Sequence, residues 1–302
     1  MQHFKNYLQK KNCQANTIKQ NIRYAKNWLE ILKEENLKPE EVRYNDILAF
    51  IETLKKQEKS IKNINRHLLA IRHYYQYLDI NINPAEGLFL KGTSRQIPKD
   101  LLEGKDLKEI YENYPVYTNR DKRNKVILGL LINQAPTTEE LHKLEPRHLL
   151  LEKGKIIIPG SRRSNQRTLK LQSCQILELH NYIKIIRPEI IKNIHQKRPA
   201  RKPDKINKEK LNEQLFISIN GSTNMKNSLL HLFKALKKKY PFVKNAKQIR
   251  LSVITNKLKT HNLREVQYFA GHKYVSSTER YKLNNIEDLK KEIKKYHPLQ
   301  KF

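Results

Sequence analysis

Three side chains near the end of the chain could act together on a phosphate ester: Arg250, His272 and Tyr281. Breaking such an ester without a metal ion requires a nucleophile, cations for the two non-bridging oxygens and an acid for the departing oxygen. A tyrosine hydroxyl can attack phosphorus, and the planar guanidinium of arginine matches the geometry of a phosphate. The imidazole of His272 can donate to the same phosphate or help to take the tyrosine proton. Lys247, three residues before Arg250, could donate a proton or bind a phosphate oxygen.

The net charge of the chain indicates which kind of molecule contains that phosphate ester. Lys and Arg number 61 against 30 Asp and Glu, which gives a formal net charge of +31. The basic residues are spread over the whole chain, and a biased base composition would have raised Lys and Glu together. A surface of this charge favours a polyanionic partner, so we expect double-stranded DNA. An RNA-binding protein of the ribosomal kind would need exposed aromatic residues that stack on bases, whereas most aromatic residues here fall at apolar helical positions.

The sequence also argues against several classes of site. Cys13 and Cys174 have no Cys or His neighbour at ligand spacing, so neither a disulfide scaffold nor a metal site is expected. The 8 glycines form no phosphate-binding loop, and we expect no cofactor. The longest apolar run, Val126–Ile132, is too short to span a membrane, and the first residues lack the apolar stretch of a signal peptide. These features predict a cytoplasmic protein without a membrane partner.

The first 86 residues predict a bundle of four helices that must support this chemistry. Apolar residues recur at spacings of three and four in three segments. Thr17 and Ser60 are predicted to cap the first and the third of these helices, and Asn45 opens the second. A short leading helix carries Phe4 and Leu8. The opposite helix faces are basic, which predicts contact with DNA phosphates, although a face of this kind can also be merely solvated. The residues concerned are Lys19, Arg23, Lys26, Lys62, Arg66 and Arg72.

A linker predicted at 87–100 separates this bundle from a second domain at 101–302. Most of the second domain has helical periodicity, but two short β-type runs flank Gly160–Asn165 and predict a hairpin. A basic segment at 192–210 is either a mobile loop that binds phosphates or a disordered insertion. Helices are predicted at 107–114, 125–132, from Thr138, at 173–186, at 227–240 and, last, at 285–296.

The stretch 248–281 resembles the C-terminal signature of tyrosine recombinases of the phage-integrase and Xer type. Gly271-His272 is followed by Ser277-Thr278 and, after two further residues, by Tyr281, while Lys247-Gln248-Ile249-Arg250 stands where that family has its His-x-x-Arg box. The resemblance extends along the whole chain. It implies a mainly α fold: a four-helix, SAM-like core-binding domain, then a mostly α catalytic domain with a small antiparallel sheet.

The resemblance also implies a function. Tyr281 would form a 3′-phosphotyrosyl bond with DNA, and the stored bond energy would allow rejoining without ATP. Such enzymes carry out site-specific strand exchange, as in the integration, excision or inversion of a mobile element, and they work as homotetramers on paired sites. In that assembly the terminal helix at 285–296 passes between subunits, although the apolar stripe of this helix could equally fold back onto its own domain.

Two positions depart from the family pattern. The family's first arginine lies in a Gly-x-Arg-x-x-Glu-Leu segment, where this chain has Thr137 in place of the arginine and retains Glu140. Threonine can hydrogen-bond to a phosphate oxygen but cannot neutralise its charge. The lysine of the family's hairpin falls on Ser164 or Asn165, depending on a gap of one residue.

Two interpretations of these departures remain open. In the first, Arg162 or Arg163 at the hairpin tip supplies the missing charge and Lys247 assists. In the second, the protein is a degenerate relative that binds DNA but cleaves it slowly or not at all. Loss of one charged transition-state donor costs about 10²–10³ in rate, which slows an enzyme without abolishing it, and this favours the first interpretation.

Overall fold

The computed structural model describes residues 1–80, 82–92, 100–196, 208–222 and 224–281. They belong to two compact units, Met1–Gln96 and Ile97–Phe302, which we call the N-terminal and C-terminal units. The division lies within the segment predicted as a linker. Both units are mainly helical and the C-terminal unit adds a small antiparallel sheet, which confirms the predicted fold class.

The described part of the N-terminal unit contains α1 (Gln2–Lys10), α2 (Ala15–Glu34), α3 (Tyr44–Lys56) and α4 (Ile61–Leu78). Helices α2 and α4 pack along each other, and Trp28 and Leu68 are almost fully buried in the core between the helices. Phe4 from α1 packs on the rings of Tyr74 and Tyr77 from α4. The apolar stripes read from the sequence therefore form the interior of a helical bundle.

One helix of this unit begins earlier than the sequence predicts. Ser60 caps α4 as expected, because its hydroxyl accepts a backbone N–H from the first turn at 3.3 Å. Helix α2, however, begins at Ala15, since the N–H of Ile18 already bonds to the carbonyl of Gln14. Thr17 therefore lies inside the first turn, and the prediction that it caps this helix is wrong.

The described part of the C-terminal unit contains α5 (Gly104–Glu112), α6 (Asn119–Asn133), α7 (Thr138–His142), β1 (Leu149–Leu150), β2 (Lys155–Ile158), β3 (Arg167–Lys170), α8 (Ser173–Asn181), α9 (Arg187–Gln196), α10 (Lys208–Glu213), α11 (Lys226–Lys239), α12 (Ala246–Leu258), α13 (Leu263–Ala270) and a last helical segment at 276–281. The antiparallel sheet has the order β1-β2-β3, and Ile158 pairs with Arg167 next to the hairpin loop. The hairpin is as predicted. Strand β1 has two residues, too few to leave an alternating pattern in the sequence.

Helix α6 lies in the core of this unit, where α5, α8 and α12 pack on it. Its apolar segment Val126–Leu131 is buried. The helix begins at Asn119, capped by Thr118, and not at the predicted start near Lys125, because its first turn is polar and the apolar pattern starts later. Helix α6 thus carries the chain directly to the turn that precedes α7.

The helix predicted at 173–186 is longer than its sequence pattern indicated. After α8 the residues Tyr182–Ile186 form one π-helical turn, and the chain continues into α9. Leu179 and Ile190, on either side of that turn, are both buried, so the apolar face persists across it.

Two further predictions fall partly or wholly outside the described residues. The basic segment at 192–210, predicted as a mobile loop or a disordered insertion, is helical at both described ends, since α9 ends at Gln196 and α10 begins at Lys208. Residues 197–207 and the terminal helix predicted at 285–296 lie outside the described residues. None of the helices in the described ranges combines the length and the apolar character that a membrane crossing requires.

Candidate active site

Arg250 extends from α12 and is held by two backbone carbonyl groups. Its Nη1 donates to the carbonyl of Ala135, and its Nη2 donates to the carbonyl of Ala270 at 2.6 Å. Ala135 has a φ of 48°, a left-handed conformation that is uncommon for a residue with a Cβ. Burial lowers the pKa of Arg250 from its ordinary value, but a guanidinium remains charged in proteins. The site therefore contains a fixed positive charge whose orientation is set by the backbone.

Thr137, at the position of the family's first arginine, is the N-cap of α7. Its hydroxyl accepts the backbone N–H of Glu140 at 3.1 Å, and the carboxylate of Glu140 accepts the backbone N–H of Thr137 at 2.7 Å. This reciprocal pair is a capping box, a common device at helix N-termini. The side chain that replaces the arginine thus fixes the start of a helix and adds no charge.

A buried ion pair between Glu140 and Arg167 lies beside this cap, and both side chains are 0% exposed. Nη1 and Nη2 of Arg167 donate to the two carboxylate oxygens at 2.8 and 3.2 Å, and the hydroxyl of Ser164 donates to the carboxylate at 2.5 Å. Burial alone would raise the pKa of Glu140, but Arg167, Ser164 and the Thr137 N–H together hold it below its ordinary value. Glu140 is therefore an ionised carboxylate whose negative charge is balanced by Arg167.

The sequence reasoning matched Glu140 to the family but missed Arg167. Strand β3 alternates buried and exposed residues, and Arg167 shares the buried side with Leu169. An arginine at an inward position of a strand needs a charged partner, so the alternation was a signal that could have revealed it. The identity of the partner could not be read in this way, because the two residues lie far apart in the sequence.

The hairpin tip contacts the Gly271-His272 loop through its backbone. Ser161 and Ser164 bond to each other through backbone and hydroxyl groups and close a tight turn. Ser164 forms an isolated antiparallel bridge with His272, and the N–H of Asn165 donates to the carbonyl of Gly271 at 2.9 Å. The hairpin therefore helps to position the loop that carries His272.

Gly271 occupies a position that tolerates no side chain. Its φ is 68°, and a Cβ built there would lie 2.5 Å from Nη1 of Arg167 and 3.0 Å from the carbonyl oxygen of Asn165. Because Arg167 is bound to a buried carboxylate, it cannot move aside easily. The glycine of the Gly-His pair is thus required both by its backbone conformation and by the neighbouring guanidinium.

The rings of His272 and Tyr281 lie parallel to each other. Their centroids are 6.0 Å apart and the planes differ by 14°. Nδ1 of His272 is 2.8 Å from the hydroxyl oxygen of Thr278, a fully buried residue on the same helical segment as Tyr281. The segment that carries the tyrosine therefore contacts the histidine through two of its side chains.

Burial and nearby cations change the protonation of both rings. Burial lowers the pKa of His272 to about 4, and the positive charges of Arg250 and Arg167 act in the same direction. Burial raises the pKa of Tyr281, although the charges of Arg250 and Arg280 partly oppose this. At neutral pH the imidazole is uncharged, and the phenol retains its proton in the absence of substrate.

The side chains of Arg250, His272 and Tyr281 line one cleft of about 480 Å³. Its lining includes Thr137, Arg163, Ser164, Lys247, Arg250, His272 and Tyr281. Three cationic side chains face a cavity that also receives a phenol and an imidazole, the set of groups from which metal-free phosphoryl transfer can be built.

Sequence profiles of two domain families match the chain. Residues 1–79 match the phage integrase N-terminal SAM-like domain, and residues 100–287 match the phage integrase family. The chain belongs to the phage integrase family.

Full-length relatives and solved structures agree with this assignment. Tyrosine recombinase XerC of Oceanobacillus iheyensis is 24% identical over 308 residues, which cover 98% of this chain and 94% of the relative. Tyrosine recombinase XerD of the same organism is 27% identical over 292 residues, with 94% and 92% covered. The structure of the Tn1549 transposon integrase in complex with transposon right end DNA shares the fold, with a TM-score of 0.63, 18% identity and 92% of each chain covered.

The remaining predicted residues of this phage integrase family member occupy different positions around the cleft. Arg163 lines the cleft, whereas Arg162 is exposed and is not among its lining residues. Of the two candidates for the hairpin lysine position, Ser164 is buried against Glu140, and Asn165 is exposed. Arg163 is therefore the hairpin arginine better placed to act on a bound phosphate.

The N-terminal unit presents five of its six predicted DNA-binding cations to solvent. These are Lys19, Arg23, Lys26, Lys62 and Arg66. Arg72 is half-buried, and its guanidinium donates to the carbonyls of Ala85 and Leu88 at 3.3 and 3.0 Å. The Arg72 side chain therefore fastens the segment after α4, and its contact with DNA stays a prediction.

Proposed function

We propose that this protein is a site-specific DNA recombinase that cleaves and rejoins strands through a 3′-phosphotyrosyl bond at Tyr281. The observation that carries the proposal is the meeting of Tyr281, His272 and Arg250 around one cleft within a single chain. Membership of the phage integrase family supports the same reaction. No cofactor is needed for it, since the covalent bond conserves the energy of the broken ester.

The side chains divide the reaction as follows. The Tyr281 oxygen forms a bond to phosphorus, the bond from phosphorus to the 5′ oxygen breaks, and the phenol proton passes to solvent in the open cleft. Arg250 stabilises the charge that develops on the non-bridging oxygens. Lys247, exposed at the cleft, is the candidate acid that protonates the departing oxygen. Arg163 provides a further positive charge on the side where Thr137 has none.

Double-stranded DNA is the proposed substrate, bound by both units. The exposed cations of α2 and α4 and the net charge of +31 support extensive phosphate contact, so the affinity should fall steeply with rising salt. The Tn1549 transposon integrase, which shares the fold, is described in complex with transposon right end DNA. A role in the movement of a mobile element, with action on DNA in the cytoplasm, is part of the proposal. A homotetramer on paired sites, joined through the segment 285–296, is part of the same proposal.

A covalent trap tests the proposal. The protein is incubated with nicked suicide duplexes that tile the DNA on either side of its own gene, and adducts are separated on a denaturing gel. The wild type should form an adduct at one of these sequences, and Tyr281→Phe should form none while still shifting the same duplex. Tyr268→Phe is the matched control, because this tyrosine hydroxyl binds the backbone of Thr168 outside the cleft.

A second candidate function is that of an impaired relative that binds DNA as an architectural protein. The capping role of Thr137 favours it, because the first arginine has no direct replacement on α7. Specific DNA binding without any adduct in the wild type would establish this alternative and exclude the recombinase.

The hairpin supplies a test between the two interpretations. The double variant Arg162→Ala/Arg163→Ala should bind DNA and lose most of its adduct formation, since removal of a transition-state cation costs about 10²–10³ in rate. Arg162→Ala alone should stay close to the wild type, because Arg162 does not line the cleft. Unchanged cleavage by the double variant would remove Arg163 from the mechanism.

A further inference from the structure

Thr278 connects the nucleophile segment to the ring of His272. It lies one turn before Tyr281 on the helical segment 276–281 and is 0% exposed. Its hydroxyl oxygen is 2.8 Å from Nδ1 of His272. Within the described residues, this ring nitrogen is the only hydrogen-bond partner of the Thr278 hydroxyl.

The direction of this hydrogen bond follows from the burial of the hydroxyl. If Thr278 only accepted a proton from Nδ1, its own hydroxyl proton would be buried without an acceptor, which folded proteins rarely tolerate. The hydroxyl therefore donates, and Nδ1 of His272 accepts through its lone pair. Because burial and the nearby arginines keep the imidazole neutral at neutral pH, its single ring proton must be on Nε2.

We propose that Thr278 is a positioning residue that fixes His272 as the Nε2–H tautomer, so that the imidazole meets the scissile phosphate as a hydrogen-bond donor. This inference rests on the proposed function and decides between the two roles that the sequence left open. The neutral ring has one lone pair, at Nδ1, and Thr278 occupies it. His272 therefore has no free site at which to accept the proton of Tyr281.

The same contact couples the state of His272 to the position of the nucleophile. Thr278 and Tyr281 belong to one helical segment, so Thr278 reaches the ring when this segment is docked with the tyrosine at the cleft. The backbone of His272 is held independently, since its N–H donates to Gln267 at 3.0 Å and its carbonyl accepts from the Gln267 side chain at 3.1 Å. Removal of the Thr278 hydroxyl should therefore change the ring and leave the loop in place.

The first test measures the tautomer directly. Full-length protein labelled with nitrogen-15 histidine is compared by NMR with the variants Thr278→Val and Thr278→Ser, and the His272 signals are identified by their loss in His272→Gln. The wild type and Thr278→Ser should show a protonated Nε2 and an unprotonated Nδ1 at neutral pH. In Thr278→Val both nitrogens should shift toward averaged values, because the isosteric side chain offers no proton to Nδ1.

Thr255→Val provides a matched control for the loss of a buried threonine hydroxyl. Thr255 is buried on α12, and its hydroxyl has no hydrogen-bond partner within the described residues. This substitution should leave the His272 signals unchanged. A wild-type ring protonated on Nδ1, or a Thr278→Val spectrum identical to that of the wild type, would overturn the assignment of Thr278.

The second test uses the covalent trap. Thr278→Val should lower the rate of adduct formation by about 10- to 100-fold, by analogy with the range for residues that orient metal-binding histidines, and Thr278→Ser should restore most of it. DNA binding should be unaffected in both. If the wild type forms no adduct while its NMR spectrum shows the Nε2–H tautomer, the recombinase proposal fails and the assignment of the tautomer stands. If adducts form at equal rates in the wild type and Thr278→Val, the positioning role is refuted.

Discussion

Replacing Arg167 by methionine should reveal how strongly the site depends on its buried ion pair. The substitution preserves much of the apolar stem of the side chain and removes the only charged group bonded to the carboxylate of Glu140 within the described residues. Both side chains are 0% exposed. Loss of one partner therefore leaves an anion in a place that water does not reach.

The loss in the free energy of unfolding caused by Arg167→Met has an upper limit, because Glu140 can take up a proton and lose its charge. With an ordinary pKa of 4.5, neutralisation of this carboxyl at pH 7 costs about 3.4 kcal/mol, at 1.36 kcal/mol for each pH unit. That figure agrees with the cost of about 3–5 kcal/mol for breaking a buried pair. In the wild type the pKa of Glu140 is lowered, so its stabilising contribution is present above its ordinary pKa and is lost on acidification.

The variant should have the opposite pH dependence. Without Arg167, burial raises the pKa of Glu140 above its ordinary value, so the carboxyl is tolerated when protonated and destabilises the fold as the pH rises. The difference in the free energy of unfolding between the wild type and Arg167→Met should therefore be small near pH 4.5 and grow to about 3 kcal/mol at pH 7.

Urea unfolding at these two pH values, followed by far-ultraviolet circular dichroism, measures the difference. Arg163→Met is the matched control, because it removes an exposed arginine from the same hairpin. Trp28 is the only tryptophan of the chain and belongs to the N-terminal unit, so its fluorescence reports on a unit that lacks the pair. Glu140→Gln/Arg167→Met should recover most of the loss, since no unpaired charge remains. Equal stability of Arg167→Met and Arg163→Met at pH 7 would refute the reasoning.

Three further predictions concern other parts of the molecule. His67 is buried beside the ring of Tyr24, and burial lowers its pKa to about 4. The neutral His67 ring is compatible with the fold above its ordinary pKa of 6.5, and the free energy of unfolding should fall by about 3 kcal/mol as the pH drops toward 4. Trp28 fluorescence should show this loss in the wild type and a smaller one in His67→Leu. Gly271→Ala should destabilise the C-terminal unit by about 1–3 kcal/mol through its left-handed backbone and the nearby Arg167 guanidinium, and a thermal midpoint equal to that of the wild type would contradict both causes. Thr137→Arg should change adduct formation by less than about tenfold if Arg163 already supplies the charge; a gain of about 10²–10³ would show that the charge was missing.

Local pattern was sufficient for much of this protein. The recurrence of apolar residues at three and four positions indicated the four-helix bundle, and two short β-type runs around Gly160–Asn165 indicated the hairpin of β2 and β3, because each depends on neighbours within a few residues. Helix limits were less accurate, as at Thr17 and at the π-helical turn Tyr182–Ile186. At the π-helical turn the helix continues because its buried face persists, with Leu179 before the turn and Ile190 after it. Residues 15–17 at the start of α2 are exposed, so this turn is set by backbone hydrogen bonds and carries no buried apolar residue that a pattern could show.

The sequence alone was enough to recognise the candidate set Arg250, His272 and Tyr281 and the family it resembles. It also showed that Thr137 replaces the family's first arginine. Tertiary structure decided which charges are free to act. Glu140 is neutralised by Arg167, a residue 27 positions away. Arg72 and Arg250 both donate to backbone carbonyls, but only Arg250 lines the cleft with Tyr281. Contacts of this kind depend on which side chains the folded backbone brings together, and a charged residue looks the same in the sequence whether its partner is DNA, solvent or a buried carboxylate.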